Sequence, residues 1–201
     1  MSKRGVGLAS VVGIVLGAVS GAALSGCADL FPVTAEADAA FRRGLIAQIG
    51  GDAGAAEREY RHAVELDANR AAAWNNLGVM AALGGDEKRA IELVAKAVAA
   101  DAGDLTALTN YGVLRFRAGD YAEARRALSD VRSLRQDTIE HTSSGGRVNW
   151  DNDLFARATA ALDERASRYL KRIDKAEHEG VDFGENPPTD LVAERGGGAR
   201  F

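Results

Sequence analysis

The chain is poor in the residues that make small proteins rigid or reactive. One cysteine in 201 residues excludes a disulfide framework, and with only three histidines it also excludes a Cys-rich zinc site. Three prolines and 6% aromatics, set against 46% hydrophobic residues, leave a core built from small aliphatics. Ala-rich stretches then make helix the default and an all-β fold a poor fit. Positive charge is not in excess either: 25 Lys and Arg face 29 Asp and Glu, a net charge of −4. No broad basic field exists, so nucleic acid is not an expected partner. The length suits one modest globular core with appendages and not two large domains.

What is present begins at the N-terminus. Met1, Ser2, Lys3 and Arg4 precede an uncharged stretch from Gly5 to Gly26 that carries Val6, Leu8, Val11, Val12, Ile14, Val15, Leu16 and Val19. A charged n-region and an apolar h-region of this kind read as a signal peptide over 1–26, to be left out of fold reasoning. The stretch closes on Leu24, Ser25, Gly26 and Cys27. Those four residues resemble the bacterial lipobox, in which the Cys is joined to diacylglycerol and the chain is cut before it. The resemblance implies a lipid anchor at Cys27, hence a membrane partner and an envelope location, on the periplasmic face of an outer membrane where the host has one. Each buried CH₂ of an acyl chain contributes about 0.8 kcal/mol, so one chain holds marginally and two or three hold stably. Cleavage leaves 175 residues and moves the charge from −4 to −6 by removing Lys3 and Arg4. The alternative is an uncleaved anchor, since the 22 residues from Gly5 to Gly26 are long enough to span a bilayer.

Beyond a tether over 27–36, the sequence repeats with a period of 34. Gly44, Gly78 and Gly112 share one column; Gly51, Gly85 and Gly119 a second; Asp52, Asp86 and Asp120 a third; Ala56, Ala90 and Ala124 a fourth. At each Gly-Asp pair a left-handed Gly ends one helix and an Asp caps the next, so each unit is a helix hairpin. The columns predict A helices over Ala37–Ile49, Ala71–Leu83 and Leu105–Arg117. They predict B helices over Ala53–Leu66, Glu87–Ala99 and Tyr121–Arg135. The column of Gly44, Gly78 and Gly112 marks where helix A must approach helix B with no Cβ between them. Asn69 and Gly103-Asp104 are expected to turn the chain between units.

Trp74, Leu77, Gly78, Ala81, Ala90, Val94 and Ala97 resemble the signature of the tetratricopeptide repeat (TPR). Leu108, Tyr111, Gly112, Ala124, Leu128 and Val131 follow it in the third unit, and Ala40, Gly44, Ala47, Ala56, Tyr60 and Ala63 in the first. Departures are Arg43 at the Leu position, Arg115 at the Tyr position, and Ala68, Ala102 and Gln136 where a closing Pro is usual. The resemblance implies an all-α, TPR-type solenoid of three hairpins, with repeats at 37–70, 71–104 and 105–138 and the repeat region closing at residue 136. A polar loop is expected over 139–152. A long helix over 153–180 is expected next, carrying Leu154, Ala158, Leu162, Tyr169 and Ile173 and stopped by Gly180. That helix reads as a solvating cap over Leu128, Val131 and Leu134, or as a helix that pairs with a partner. A disordered tail is expected over 181–201.

No catalytic constellation is legible. His62, His141 and His178 have no ligand-type neighbour at helical spacing, and Ser143 to Arg147 lacks the Gly-Lys-Ser/Thr of a phosphate loop. Asp151 and Asp153 have no calcium-loop spacing after them and read as helix caps. The reading is therefore a non-enzymatic protein with no cofactor and no metal.

The TPR resemblance instead implies a protein or peptide partner, held on the concave face at repeat positions 2, 5, 9, 12 and 13. These carry over to Asp38, Phe41, Leu45, Gln48 and Ile49; Ala72, Asn75, Val79, Ala82 and Leu83; and Thr106, Thr109, Val113, Phe116 and Arg117. Asn76 and Asn110 resemble the Asn of the family's carboxylate clamp, but its Lys and Arg partners are missing. The strip is apolar and rimmed by Arg42, Arg115 and Arg117, which suits an amphipathic helix or an extended apolar peptide. Self-filling of the groove by the helix at Asp153–His178 is the competing expectation. Anchor and repeats together resemble the small TPR lipoproteins of pilus and secretion assembly, which implies scaffolding of an envelope complex. Recruitment or regulation of cell-wall enzymes is the second reading.

Overall fold

A computed structural model describes residues 30–143, 150–180 and 191 of the chain. The signal stretch expected over 1–26, the anchor expected at Cys27 and nearly all of the tail expected over 181–201 lie outside the described residues. Among the described residues there are seven helices and no strand: α1 (Leu30–Ile49), α2 (Ala53–Leu66), α3 (Ala71–Leu83), α4 (Glu87–Ala100), α5 (Leu105–Arg117), α6 (Tyr121–Ser143) and α7 (Trp150–Glu179). Helices α1 to α6 pair as three antiparallel hairpins stacked side by side, and α7 closes the stack against α5 and α6. The architecture is a TPR-type α-solenoid.

Each Gly-Asp pair makes its turn in one pattern. Gly51, Gly85 and Gly119 take φ of 79°, 84° and 78°, the left-handed region that glycine enters without a Cβ penalty. The N–H of Asp52 reaches the Ala47 carbonyl at 2.9 Å and the N–H of Gly51 reaches Gln48 at 3.1 Å, which satisfies the last carbonyls of α1. Asp86 with Gly85, and Asp120 with Gly119, repeat both bonds. Each Asp carboxylate then accepts from an N–H in the first turn of the next helix, at Ala55, Arg89 and Glu123. One dipeptide thus stops one helix and starts the next.

Turns between hairpins use a different column. Asp67 and Asp101, 34 residues apart, end α2 and α4 in extended conformation. Their carboxylates accept from the N–H of Asn69 at 3.0 Å and of Gly103 at 2.9 Å. The equivalent residue in the third repeat is Arg135, which has no acceptor to offer such a turn. Helix α6 therefore continues to Ser143, past the expected end at Arg135 and into the expected loop over 139–152, and α7 begins at Trp150 instead of Asp153. At the other end, α1 starts at Leu30 and absorbs much of the expected tether over 27–36. Pro32 permits this because it lies in the first turn, where a helix needs no N–H donor.

Helix pairs close on their glycines. A Cβ added at Gly44 would lie 2.6 Å from the Tyr60 ring, and one at Gly112 would lie 2.6 Å from Leu128 Cγ. At Gly78 it would collide with Val94 Cγ2 and come within 3.2 Å of the Ala90 carbonyl oxygen. Two clusters form the interior. The first joins Phe41, Leu45, Ala56, Tyr60 and Ala63 to Leu77 of the second repeat. The second joins Val79, Val94, Leu108, Val113, Phe116, Leu128 and Val131 to Ala166, Tyr169 and Ile173 of α7, and to Leu191. Leu191, the one described residue of the tail expected over 181–201, is 8% exposed.

Candidate peptide-binding groove

Positions 2, 5, 9, 12 and 13 of each repeat share one face of helices α1, α3 and α5 because they recur at helical spacing. The structure divides them sharply. Phe41, Leu45, Asn75, Val79, Ala82, Thr109, Val113 and Phe116 are buried, as are Asn76 and Asn110 beside them at position 6, whereas Ile49 and Leu83 are 66% and 58% exposed. Ile46, one turn before Ile49, is 70% exposed. The open apolar surface therefore lies at the C-terminal ends of α1 and α3.

At the third repeat the same position is Arg117, whose side chain is 12% exposed and whose Nε lies 2.7 Å from Glu87 Oε1. Arg115 sits over the Tyr111 ring at 5.0 Å and pairs with Asp120 at 3.3 Å. Of the expected basic rim, Arg42 alone is exposed; Arg115 and Arg117 are engaged within the fold. Asp38 pairs with Arg70, whose guanidinium also stands 5.0 Å over the Phe41 ring.

Covering the third repeat is α7. Tyr169 meets Phe116 edge-on with centroids 5.2 Å apart, and Arg172 stands 5.4 Å from the Phe116 ring and 5.3 Å from that of Tyr169. Ala166, Tyr169 and Ile173 are buried along one stripe of α7. The helix therefore caps α6, burying Leu128 and Val131, and also seals the groove end at Phe116; the two expected roles coincide. Ion pairs fix its register on α6. Arg125 reaches Asp174 at 2.8 Å and Glu177 at 2.5 Å, and Arg132 reaches Asp163 at 3.3 Å. Arg135 donates to Thr159 Oγ1 at 3.0 Å and to the Ala156 carbonyl at 3.1 Å. Sequence reasoning missed Arg135, although its departure from the Asp67 and Asp101 column was a readable signal.

The polar residues inside the face bind one another. Asn110 Nδ2 donates to Asn75 Oδ1 at 2.8 Å across two repeats. Thr109 Oγ1 donates to the Leu105 carbonyl at 2.7 Å. Tyr60 donates its hydroxyl to Gln48 Oε1 at 2.5 Å, and burial pushes its phenol up to about 12 against a weaker opposing hydrogen bond with Asn76. The Asn110–Asn75 bond and the Tyr60–Asn76 hydrogen bond tie repeat to repeat, whereas the Thr109 and Tyr60–Gln48 bonds stay within one repeat.

His62 and His178 are exposed, and the side chain of His141 lies outside the described residues. Among the described residues no three His, Cys, Asp or Glu come together as a metal site. Nor is any described helix long and apolar enough to cross a membrane.

Comparison with known proteins agrees with this geometry. Tetratricopeptide repeat family models match residues 37–70 and 81–142. Among solved structures, the Sgt2 TPR domain from Aspergillus fumigatus is similar at 18% identity, over 81% of this chain and 92% of that one, with a TM-score of 0.52. The TPR2B domain of yeast Sti1, solved in a complex with pHsp70, is similar at 19% identity, over 67% of this chain and 98% of that one, with a TM-score of 0.50. No curated protein matches the sequence significantly. Family models, stacked hairpins and shared solenoid fold lead to one conclusion: the chain carries tetratricopeptide repeats, a module for protein–protein interaction.

Proposed function

We propose that the protein is a non-enzymatic, lipid-tethered scaffold of the bacterial envelope, which uses its repeats to hold a protein partner during assembly of an envelope complex of the pilus or secretion type. The observation that carries the binding role is the exposed apolar strip of Ile46, Ile49 and Leu83 on stacked repeats. Ile46 and Ile49 at the end of α1 and Leu83 at the end of α3 leave aliphatic surface in water that a partner would gain free energy by covering. Their spacing suits a partner that lays an apolar helix face or strand across α1 and α3.

Support for the tether comes from sequence alone: Lys3 and Arg4, the apolar stretch to Gly26, and Leu24-Ser25-Gly26-Cys27. A thioether at Cys27 would leave about ten residues between lipid and repeats, so the partner site would sit close to the membrane surface. The periplasmic face of an outer membrane is the proposed address where the host has one.

Two measurements test the reading. Intact mass of the membrane-extracted protein should show a chain starting at Cys27 with added acyl mass, and Cys27→Ser should abolish that mass and release the protein from membranes. Crosslinking from membranes should then yield a defined envelope protein with the native chain and lose it with Ile49→Asp. An unmodified N-terminus at Met1 would eliminate the tether, and a crosslinked product indifferent to Ile49→Asp would eliminate the strip.

A further inference from the structure

We propose that the leading face of α1, the side turned away from the second repeat, docks one amphipathic helix of a partner that sets a carboxylate against Arg42. The docked helix adds to the stack as a preceding repeat would. The inference deepens the protein-binding reading above by naming the shape and charge of the partner segment, and it rests on that reading.

One stripe of each A helix faces the hairpin before it. Positions 6, 10 and 13 recur at spacings of four and three residues, so they lie on one side of the helix. On α5 they are Asn110, Leu114 and Arg117. Asn110 bonds back to Asn75 of α3 at 2.8 Å, Arg117 reaches back to Glu87 of α4 at 2.7 Å, and Leu114 between them is fully buried. On α3 they are Asn76, Met80 and Leu83. Asn76 is buried and hydrogen-bonded to Tyr60 of α2, and Met80 is half-buried. On α1 the stripe is Arg42, Ile46 and Ile49, all three exposed, with no hairpin ahead of them among the described residues.

A terminal hairpin needs a polar outer face to stay soluble. Arg43 meets that need beside the stripe, paired with Glu36 and Glu59. Ile46 and Ile49 do not, and keep the apolar character that Met80 and Leu114 have where the stripe is covered. The interface between repeats therefore continues, uncovered, onto the outer side of α1. A helix suits it because helices meet this stripe in both later repeats, and because a helix arrives with its backbone hydrogen bonds already made. The charge follows from Arg42, which has no hydrogen-bond or ion-pair partner among the described residues. Position 6 carries the polar link to the hairpin before it in both later repeats, and a guanidinium only donates, so the group opposite Arg42 must accept. A carboxylate matches it in both charge and geometry. A second copy of the chain is the poorer fit: a standard interface takes about 20 to 30 residues a side, far more than this stripe offers.

The probe is a fluorescein-labelled synthetic peptide of residues 70–88, cross-linked on its outer face to hold it helical, and carrying either Asn75→Glu or Asn75→Lys. It copies α3, the helix that meets this stripe on α5 through Asn75. Fluorescence anisotropy against the full chain should show the Glu form binding about fivefold more tightly than the Lys form, the scale of an exposed ion pair. Arg42→Glu in the chain should reverse that order, and Ile46→Asp should abolish binding of both forms. Should Ile46→Asp lose helical circular dichroism, Ile46→Ser carries the same comparison. Equal affinity of the two forms, an order unchanged by Arg42→Glu, or no binding by either form overturns the proposal. So does a concentration-dependent dimer of the native chain in sedimentation that Ile46→Asp dissolves, which gives the stripe to a second copy. Peptides that ignore charge, beside a crosslinked envelope protein lost with Ile49→Asp, remove the docked helix and keep the scaffold role. Peptides that follow charge, with no crosslinked envelope protein, keep the docking stripe and remove the scaffold role, so the two failures are distinct.

Discussion

At one repeat position the chain has Ile46 in the first repeat, Met80 in the second and Leu114 in the third. The first is 70% exposed, the second partly covered and the third fully buried. Three residues further along, Ile49 and Leu83 are open to water while Arg117 is engaged with Glu87. Identical hairpins at identical spacing thus end in opposite states. The difference lies in neighbours: among the described residues no hairpin precedes α1, whereas α5 is overlaid by α7 and shares its cluster with Leu191. The same asymmetry explains Arg43, which stands where the second repeat buries Leu77. With no preceding hairpin among the described residues to pack against, Arg43 lies at the surface and pairs with Glu36 at 3.1 Å and Glu59 at 2.8 Å.

Substitution at the sealed end should break this comparison most visibly. Phe116→Ala removes the ring beneath Tyr169 and Arg172 and should destabilise the fold by about 3 to 5 kcal/mol, the range for a buried aromatic. Denaturant melts of the variant provide the check, and a midpoint unchanged from the native chain would mean that α7 does not seal that end.

Next in size is the hairpin spacing itself. Gly78→Leu drives a side chain into Val94 and toward the Ala90 carbonyl. The expected cost is about 1 to 3 kcal/mol or more, as overpacking usually costs. Native-like melting of this variant would contradict the close approach of α3 and α4.

Alkaline pH sharpens the first repeat's interior against its open edge. Burial raises the Tyr60 phenol to about 12, above the value near 10 of an unfolded tyrosine. The folded state therefore holds its proton more tightly, so this contribution is complete below pH 10 and is lost as pH rises from about 10 to 12. Tyr60→Phe should flatten the stability profile in that window. A profile equally steep in the variant would assign the alkaline loss to other groups.

Much of this was legible in the sequence because its rules are local. The Gly-Asp columns specify both the stop and the start of a helix, and α2, α3 and α5 run over the spans those columns predict. Where a local signal was absent the reading slipped: Arg135 offers no turn acceptor, so α6 ran on, and Pro32 in a first turn did not delay α1. The groove was harder for a different reason. Helical spacing identifies which residues share a face, but exposure depends on what lies over that face. Tyr169 and Arg172, which lie against Phe116, come from 53 and 56 residues further along, and no periodicity connects them to it. Asn75 and Asn110 were placed in a peptide site by pattern, and the structure joins them to each other.

The smallest effect on stability should accompany the largest effect on binding, and that pairing discriminates best between the two ends. Ile49→Ala and Leu83→Ala remove side chains that are mostly in water, so each should shift stability by no more than about 0.5 kcal/mol. If the open strip is where a partner first engages, the same pair should abolish the crosslinked product while melting stays at the native midpoint. Phe116→Ala shows the reverse order, with stability lost before binding can be read. A double variant at Ile49 and Leu83 that melts early would place those residues in the fold's own packing, and the distinction between an open and a sealed end would then have no functional content.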